Sequence, residues 1–252
     1  MIAMKKLTNL YISTILLSCL VSGSAFSAIA LDRTRVIFNG DQKSVSITIT
    51  NKNNQLPYLA QGWVENIQGV KITSPFAVLP PVQRVEPEKS SQVRIEALPE
   101  ISQLPQDRES VYYFNLREIP PKSDKPNVLQ LALQSKIKLF YRPKSIMLSE
   151  TEMLNNPWQE KTQLIKQGDQ YIIKNPTPFY ITIIGAAERK DSPVNQNFKA
   201  VMVAPFSEEK LGVPSSTVGS NPVLTYINDY GGRPKLQFKC QANTCQVVPE
   251  NK

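Results

Sequence analysis

The residues that could carry out catalysis are restricted, because the 252-residue chain contains no histidine. Serine–histidine and cysteine–histidine nucleophilic sites, histidine general bases and most catalytic zinc sites are therefore excluded. No glycine-rich phosphate-binding motif occurs either, since Gly231-Gly232 followed by Arg233-Pro234 indicates a hairpin turn. Enzymatic chemistry could depend only on lysines or carboxylates, and no cofactor or metal is expected.

Two carboxylates separated by one residue, Asp107 and Glu109, have the groups that a paired-carboxylate hydrolase requires. Arg108 lies between them, and the residues on both sides favour a structural role. A hydrolase therefore remains an alternative, but the chain is expected not to be an enzyme, and no catalytic residue is predicted.

The amino-terminal segment has the features of a secretory signal. Lys5 and Lys6 precede an apolar run over residues 10–21, which is shorter than the about 20 residues that a membrane-spanning helix needs. Small residues follow, so we predict cleavage between residues 25 and 30 and assign residues 1–27 to the signal peptide.

The three cysteines divide into one near the amino terminus and a pair near the carboxyl terminus. Cys240 and Cys245 form an even pair in a secreted chain, for which a structural disulfide is the default. The loop that they close is short, so we expect a local staple on the last hairpin rather than the main source of stability. Cys19 is either an ordinary residue of the signal or part of a lipoprotein cleavage box.

Short segments with strand character, separated by turn residues, recur throughout the mature sequence. Residues 44–50 alternate so that Val45, Ile47 and Ile49 share one face. Further strands are predicted over residues 58–65, 91–95, 111–118, 128–141, 171–174, 180–184, 199–203, 224–229 and 236–240. No long amphipathic helix competes with them, so the fold class is all-β.

A change in composition around Arg142-Pro143-Lys144 predicts a domain boundary. It divides the mature chain into an amino-terminal domain over residues 28–146 and a carboxyl-terminal domain over residues 147–252. Each is near the size of an immunoglobulin-like β-sandwich, so two sandwiches are expected rather than one large barrel.

The segment over residues 128–141 carries two overlapping patterns. Leu129, Leu131 and Leu133 alternate strictly, whereas Lys138 points to the opposite face of an unbroken strand. From the residues alone, a half-buried core strand with solvated lysines is the simpler interpretation. A strand that inserts into a partner is the alternative.

A family resemblance is carried first by residues 104–121, LPQDRESVYYFNLREIPP, which are similar to the signature of the periplasmic pilus chaperones in every defining position. Residues 31–35, 55–61, 136–143 and 226–234 resemble the same PapD-like family. The chain is identified as a member of this family over nearly all of its mature length. The resemblance implies two immunoglobulin-like domains in an L-shaped arrangement with an interdomain cleft.

The resemblance also implies a function. Such chaperones bind, fold and cap pilus subunits by donor-strand complementation and deliver them for pilus assembly at the outer membrane. A subunit lacks the last strand of its sandwich, and Leu129, Leu131 and Leu133 match the residues that the family inserts into the open groove. Arg35 and Lys138 match the residues that anchor the subunit's C-terminal carboxylate.

Three further residues, Glu109, Arg142 and Asp229, fall where the family has an interdomain ion-pair network. We expect them to be structural, because removing one partner of a buried pair leaves an uncompensated charge.

The expected partners are pilus subunits, meaning pilins and a tip adhesin, together with an outer-membrane usher, all met in the periplasm. Two empty copies are also expected to cap each other, since exposed leucines invite aggregation. The formal charge of +8 becomes +6 once Lys5 and Lys6 leave with the signal, which favours an anionic partner. No nucleic acid is expected, because the basic residues form no block. A pilus subunit is the other alternative, and the second domain argues against it.

Overall fold

The computed structural model describes residues 28–123 and 129–249. The predicted signal peptide over residues 1–27, with Cys19, lies outside the described residues, and so does Val128 of the predicted donor strand. Within the described ranges, no helix is long and apolar enough to cross a bilayer.

The first half of the described chain consists of strands and one short 3-10 helix, Pro99–Gln103. The strands are β1 (Ile29–Leu31), β2 (Arg35–Asn39), β3 (Ser44–Asn51), β4 (Tyr58–Glu65), β5 (Lys71–Ile72), β6 (Phe76–Leu79), β7 (Val82–Val85), β8 (Ser90–Ala97), β9 (Ser110–Ile119) and β10 (Gln134–Arg142). One sheet has the order β1-β3-β8-β6, and the other has the order β2-β10-β9-β4-β5 with β7 also paired to β4.

The second half has eight described strands and four short helices. The strands are β11 (Gln163–Gln167), β12 (Gln170–Asn175), β13 (Ile181–Ala187), β14 (Val201–Val203), β15 (Ser207–Pro214), β16 (Val223–Tyr226), β17 (Lys235–Gln241) and β18 (Thr244–Val247). The helices are α1 (Glu150–Asn155), α2 (Ser215–Val218) and the 3-10 turns Lys144–Ile146 and Trp158–Lys161. The strand order is β14-β13-β16-β17-β18-β11-β12-β15. β14 and β15, the two ends of this order, lie close together, so the strands enclose a core.

Two separate hydrophobic cores result, so the predicted all-β class with two sandwich domains is confirmed. The alternation predicted over residues 44–50 is also confirmed, since Ile47 and Ile49 are fully buried, whereas Ser46 is exposed and Thr48 is only half-buried. The boundary at residues 146 and 147 stays a prediction. Ile146 itself packs against the second core.

The strand predicted over residues 128–141 is shorter in the structure, because β10 begins only at Gln134. A strand needs a neighbour for its backbone groups. The neighbouring strand β9 ends at Ile119, immediately before Pro120 and Pro121, which have no N–H to donate. The last connection is a hydrogen bond of 3.0 Å from the Glu118 N–H to the Leu133 carbonyl, and residues 129–133 leave the sheet.

Candidate functional site in the interdomain cleft

Arg35 and Lys138 lie side by side because β2 and β10 pair in parallel with these two residues directly opposite each other. Residues paired in this way present their side chains on the same face of the sheet. Both side chains reach the second domain. Arg35 Nη1 donates to the Ile227 carbonyl at 3.2 Å, and Lys138 Nζ donates to Thr182 Oγ1 at 3.1 Å.

The two cations are largely removed from water. Arg35 is 8% exposed, and its Nε has no hydrogen-bond partner in the described structure. Burial, reinforced by repulsion from Arg35, lowers the pKa of Lys138 to about 8. Burial also lowers the pKa of Arg35, against the attraction of Asp229 and Glu109. Neither cation forms an ion pair within the described ranges, so the pair can accept a carboxylate.

The strand β10 has a free edge beside this anion site. β9 pairs with it from Gln134 to Tyr141, but β2 pairs with it only from Lys138 to Arg142. Residues 134–137 therefore have one neighbouring strand among the described residues, and their other backbone groups are open to an added strand. A strand added there would lie on the same side of β10 as β2, in line with β2, and would end beside Arg35.

The leucine segment directly precedes this edge. Leu129, Leu131 and Leu133 are 82%, 65% and 43% exposed. Single exposed leucines are ordinary on a protein surface, but three in alternation form a continuous uncovered apolar stripe. The interpretation as a half-buried core strand is therefore wrong for residues 129–133, whereas it holds for β10, whose Leu139 and Tyr141 pack in the first core.

Glu109, Arg142 and Asp229 are brought together as one chain of charges, called the clasp below. Arg142 lies 2.7 Å from Glu109 Oε1 and 2.8 Å from Asp229 Oδ2. Glu109 Oε2 also accepts the Tyr180 N–H at 2.8 Å. Burial raises the pKa of the Glu109 carboxyl to about 7, although Arg142 opposes the shift. The clasp joins the first core's strands to the loop after β16 in the second domain.

The geometry gives no support to a paired-carboxylate hydrolase. Glu109 is buried against Arg142, whereas Asp107 is exposed and pairs with Arg108 at 2.7 Å. Two carboxylates acting on one substrate must face a common space. The described part of the chain also has no cluster of three or more His, Cys, Asp or Glu side chains that could hold a metal.

The predicted disulfide is present between Cys240 and Cys245. The two residues are opposite each other in the hairpin formed by β17 and β18. It joins the two strands of the last hairpin, as predicted.

Two groups of the site were not indicated by the sequence, namely Thr182 Oγ1 and the Ile227 carbonyl. They come from the second domain, and Ile227 N–H donates to the Thr182 carbonyl at 3.0 Å, so they are neighbours. A threonine in a strand and a main-chain carbonyl have no distinctive sequence pattern. Only the docking of the two domains reveals them.

Comparisons with known proteins agree on one family. The model described as "Pili and flagellar-assembly chaperone, PapD N-terminal domain" matches residues 28–147, and "Pili assembly chaperone PapD, C-terminal domain" matches residues 157–238. The chain is 50% identical over 231 residues to the chaperone protein PapD of Escherichia coli, covering 91% of this chain and 94% of that protein. It is 47% identical over 237 residues to the probable fimbrial chaperone YfcS of Escherichia coli K12, covering 93% and 92%. The crystal structure of the periplasmic chaperone SfaE matches with a TM-score of 0.64 and 29% identity, covering 83% of this chain and 98% of that one.

Proposed function

The chain belongs to the pilus-assembly chaperone family, and we propose that it completes the fold of pilus subunits with residues 129–133 until they are assembled at the outer membrane. It is a chaperone and not an enzyme, and its partners are pilus subunits and the outer-membrane usher. The observation that carries the proposed mechanism is a continuous arrangement along one strand: exposed leucines, then a free backbone edge, then an unpaired anion site.

The exposed leucines supply binding energy. A subunit that lacks a strand leaves an apolar groove open to water, and an extended segment can fill it by β-strand addition. Each of Leu129, Leu131 and Leu133 contributes roughly 1.5–3 kcal/mol if it becomes fully buried. Their exposure in the free chaperone means that this energy is not already used within the chain.

The anion site supplies the register. A strand can slip by two residues without changing which side chains face the groove, so alternation alone does not fix its position. A C-terminal carboxylate bound between Arg35 and Lys138 fixes it, with charge-assisted hydrogen bonds of about 1.5–3 kcal/mol each. The spacing from Leu133 to Lys138 then sets about 17 Å between the last filled pocket and the end of the subunit.

The clasp is proposed to hold the two domains at a fixed orientation. Arg142 binds a carboxylate from each domain, so the loss of either would leave a buried charge without its partner. Arg35 and Lys138 also donate hydrogen bonds to the second domain. A changed domain orientation would therefore move the acceptors that hold these two side chains in position.

The family acts in the periplasm, and we place this chain there by the same membership. Residues 1–27 are the proposed signal peptide, and the boundary between residues 146 and 147 is the proposed junction of the domains. The disulfide suits an oxidising compartment. Two empty copies are proposed to cover each other's leucines.

Co-purification tests the mechanism directly. The variants Arg35→Ala and Lys138→Ala should fold normally by circular dichroism but recover far less pilus subunit from the periplasm than the unchanged chain. Lys210→Ala is the matched control, because Lys210 is an exposed cation on β15 of the second domain. Unchanged recovery with both cleft variants would refute the carboxylate anchor.

A further inference from the structure

The anion site lies on one face of a sheet in the first domain. On this face, a row of paired residues runs from the anion site across the whole sheet. Successive strand pairings place Arg35, Lys138, Tyr113, Glu65 and Lys71 opposite one another on β2, β10, β9, β4 and β5. Residues that are directly paired share one face. The anion site and Lys71 therefore lie at opposite ends of one continuous surface.

The single carboxylate in this row, Glu65, is already fully engaged. Its Oε2 lies 2.6 Å from Lys136 Nζ, and its Oε1 accepts the Trp63 Nε1–H at 2.8 Å. Lys136 holds the pKa of Glu65 below its ordinary value, with smaller contributions from Trp63 and Asn115. Glu65 is thus not available to neutralise the other cations on this face.

Two of those cations lie over one aromatic ring. The Arg117 Cζ is 5.3 Å and the Lys71 Nζ is 5.9 Å from the centre of the Trp63 ring, which is 9% exposed. Both cations are exposed, and neither forms an ion pair in the part of the chain that the structure describes. Stacking on Trp63 orients them while leaving their N–H groups free. We call Arg117 and Lys71 on Trp63 the cationic shelf.

We propose that the cationic shelf binds acidic side chains on the body of the same pilus subunit whose C-terminal carboxylate lies between Arg35 and Lys138. The inference rests on the proposed function and names a second contact of the same site. It accounts for positive charge that the anion site alone does not use.

Continuity with the proposed interface supports this partner. Arg117 is opposite Gln134, the first residue of β10, where the leucine segment joins the sheet. It is four residues along β9 from Tyr113, which is opposite Lys138, so the shelf is about 14 Å from the anchor. A folded domain of about 100 residues has a radius of gyration near 13 Å, so a subunit held at the anchor is large enough to reach the shelf.

Charge complementarity supports an acidic partner surface. On this face Arg142 is paired with Glu109 and Asp229, and Arg84 is paired with Glu86. The other described cations of the face are Arg35, Lys138, Lys136, Arg117 and Lys71, and Glu65 is the one carboxylate among them. Complementary charges outside a buried contact act mainly on the rate of association and on its salt dependence. The shelf therefore speeds the capture of a subunit and orients it before the leucines enter the groove.

The test compares charge reversals in the full mature chaperone. Arg117→Glu and Lys71→Glu are set against Lys210→Glu, which changes the net charge equally but lies on the second domain. The probe is the subunit recovered with the unchanged chaperone, unfolded in denaturant and diluted into each variant at low and at high salt. We expect Arg117→Glu to slow association about tenfold at low salt and less than twofold at high salt. Equal rates for Arg117→Glu and Lys210→Glu would overturn the proposal.

Two further measurements show whether a negative result means that the shelf proposal is wrong. They exclude a local distortion around Trp63 and a failure of the proposed function. Arg117→Gln removes the charge without reversing it, and the fluorescence of Trp63 reports whether its packing is kept. A peptide with the subunit's C-terminal sequence reaches the anchor alone, so its affinity should be unchanged in both Arg117 variants. If the unchanged chaperone captures no subunit, the proposed function fails. If the unchanged chaperone captures the subunit, Arg35→Ala does not capture it, and Arg117→Glu captures it as fast as the unchanged chaperone, then only the proposal for the cationic shelf fails.

A membrane is the other anionic surface that such a shelf could meet. Binding of the unchanged chaperone to phosphatidylglycerol vesicles that is lost in Arg117→Glu, with unchanged subunit association, would assign the shelf to lipid and overturn the proposal. A lipid surface over this face would cover Arg35 and Lys138 as well, so the two partners could not bind together.

Discussion

At the scale of single residues, the anion site is a pair of like charges held together by the fold. Arg35 and Lys138 repel each other, and burial adds to the cost, so the pKa of Lys138 falls to about 8. Parallel pairing of their strands keeps them adjacent, and Thr182 and the Ile227 carbonyl aim them. The site is therefore poised for an anion, because a bound carboxylate removes the repulsion.

This lowered pKa predicts a pH dependence of binding. A carboxylate prefers the charged form of Lys138, which is populated below a pH of about 8. We expect the affinity for a peptide ending in a free carboxylate to fall by up to about tenfold per pH unit above that value, since one proton must be regained. Fluorescence anisotropy at a series of pH values measures it.

The matched variant is Lys138→Arg, whose guanidinium stays charged through this range. Its absolute affinity will differ, because arginine and lysine are not equivalent, but its affinity should be nearly constant with pH. The same slope in both proteins would mean that another group titrates. A peptide with an amidated C terminus should bind both weakly at every pH.

At the scale of elements, the segment over residues 129–133 is unusual because it is an apolar stripe that pairs with none of the described strands. Leu131, which is 65% exposed, is the middle of the three leucines and is therefore the side chain to test. Leu131→Asp should abolish protection of a subunit from aggregation, since a charge in an apolar groove costs several kcal/mol. Light scattering during subunit refolding measures the protection.

Ile67 is the control for this prediction. It is 54% exposed in the turn after β4, so Ile67→Asp makes the same kind of change outside the leucine stripe. The control should protect as well as the unchanged chain, and both variants should have the same circular dichroism. Equal loss of protection in the two variants would contradict a specific role for the stripe.

The turn between β16 and β17 is a second element with a role in the cleft. Gly231 has a φ of +83°, and a Cβ there would lie 2.7 Å from Thr34 Oγ1 of the first domain. Gly231→Ala should therefore lower the free energy of unfolding by about 1–2 kcal/mol through backbone strain and also weaken carboxylate binding, since Thr34 precedes Arg35. Urea unfolding and peptide affinity measure the two effects.

Gly168 separates strain from contact. Its φ is +60°, but a Cβ there would meet nothing within 4 Å. Gly168→Ala should thus carry a similar cost in unfolding free energy with unchanged peptide affinity. If both variants bind the peptide equally, the approach of Gly231 to Thr34 does not influence the anion site.

The sequence predicted strands well where one face is buried and the other is solvated. Residues 58–65 match β4 at both ends, and the alternation of β3 was recognised. β2 was missed because it is short and nearly buried on both faces, so it lacks alternation. β15 was missed because charged outward residues obscure the buried Leu211 and Val213. The donor segment was predicted as a strand, because a pattern of side chains does not say whether a partner strand exists.

At the scale of the whole molecule, the family resemblance predicted which residues form the cleft, and the structure supplies how the domains hold it. Glu109 and Arg142 are far apart in sequence and meet because β9 pairs with β10, and Asp229 joins them only because the two sandwiches dock. Their roles could not be derived from composition, since nothing local distinguishes a buried glutamate from an exposed one. The clasp also lies close to the anion site, because Asp229 follows the Ile227 carbonyl that binds Arg35 by two residues.

The raised pKa of Glu109 predicts the direction in which the free energy of unfolding changes with pH. Its folded-state pKa of about 7 exceeds the ordinary value of 4.5, so the folded state binds the proton more tightly than the unfolded state. The stability that this group contributes is therefore fully present below pH 4.5 and is lost as pH rises through 7. The loss is on the order of 3 kcal/mol, since one pKa unit corresponds to about 1.4 kcal/mol.

Glu109→Gln isolates this contribution, because glutamine resembles the protonated side chain and does not titrate. Between pH 5 and 8, roughly the range that spans the shift, the unfolding free energy of the unchanged protein should fall relative to that of Glu109→Gln. Urea unfolding at several pH values gives the difference, in which the contributions of other groups cancel. A difference that instead grows in favour of the unchanged protein with rising pH would mean that attraction from Arg142 outweighs burial at Glu109. The ion pairs of the clasp would then hold the two domains together. Protonation of Glu109 in acid would break its ion pair with Arg142 and weaken the contact between the domains.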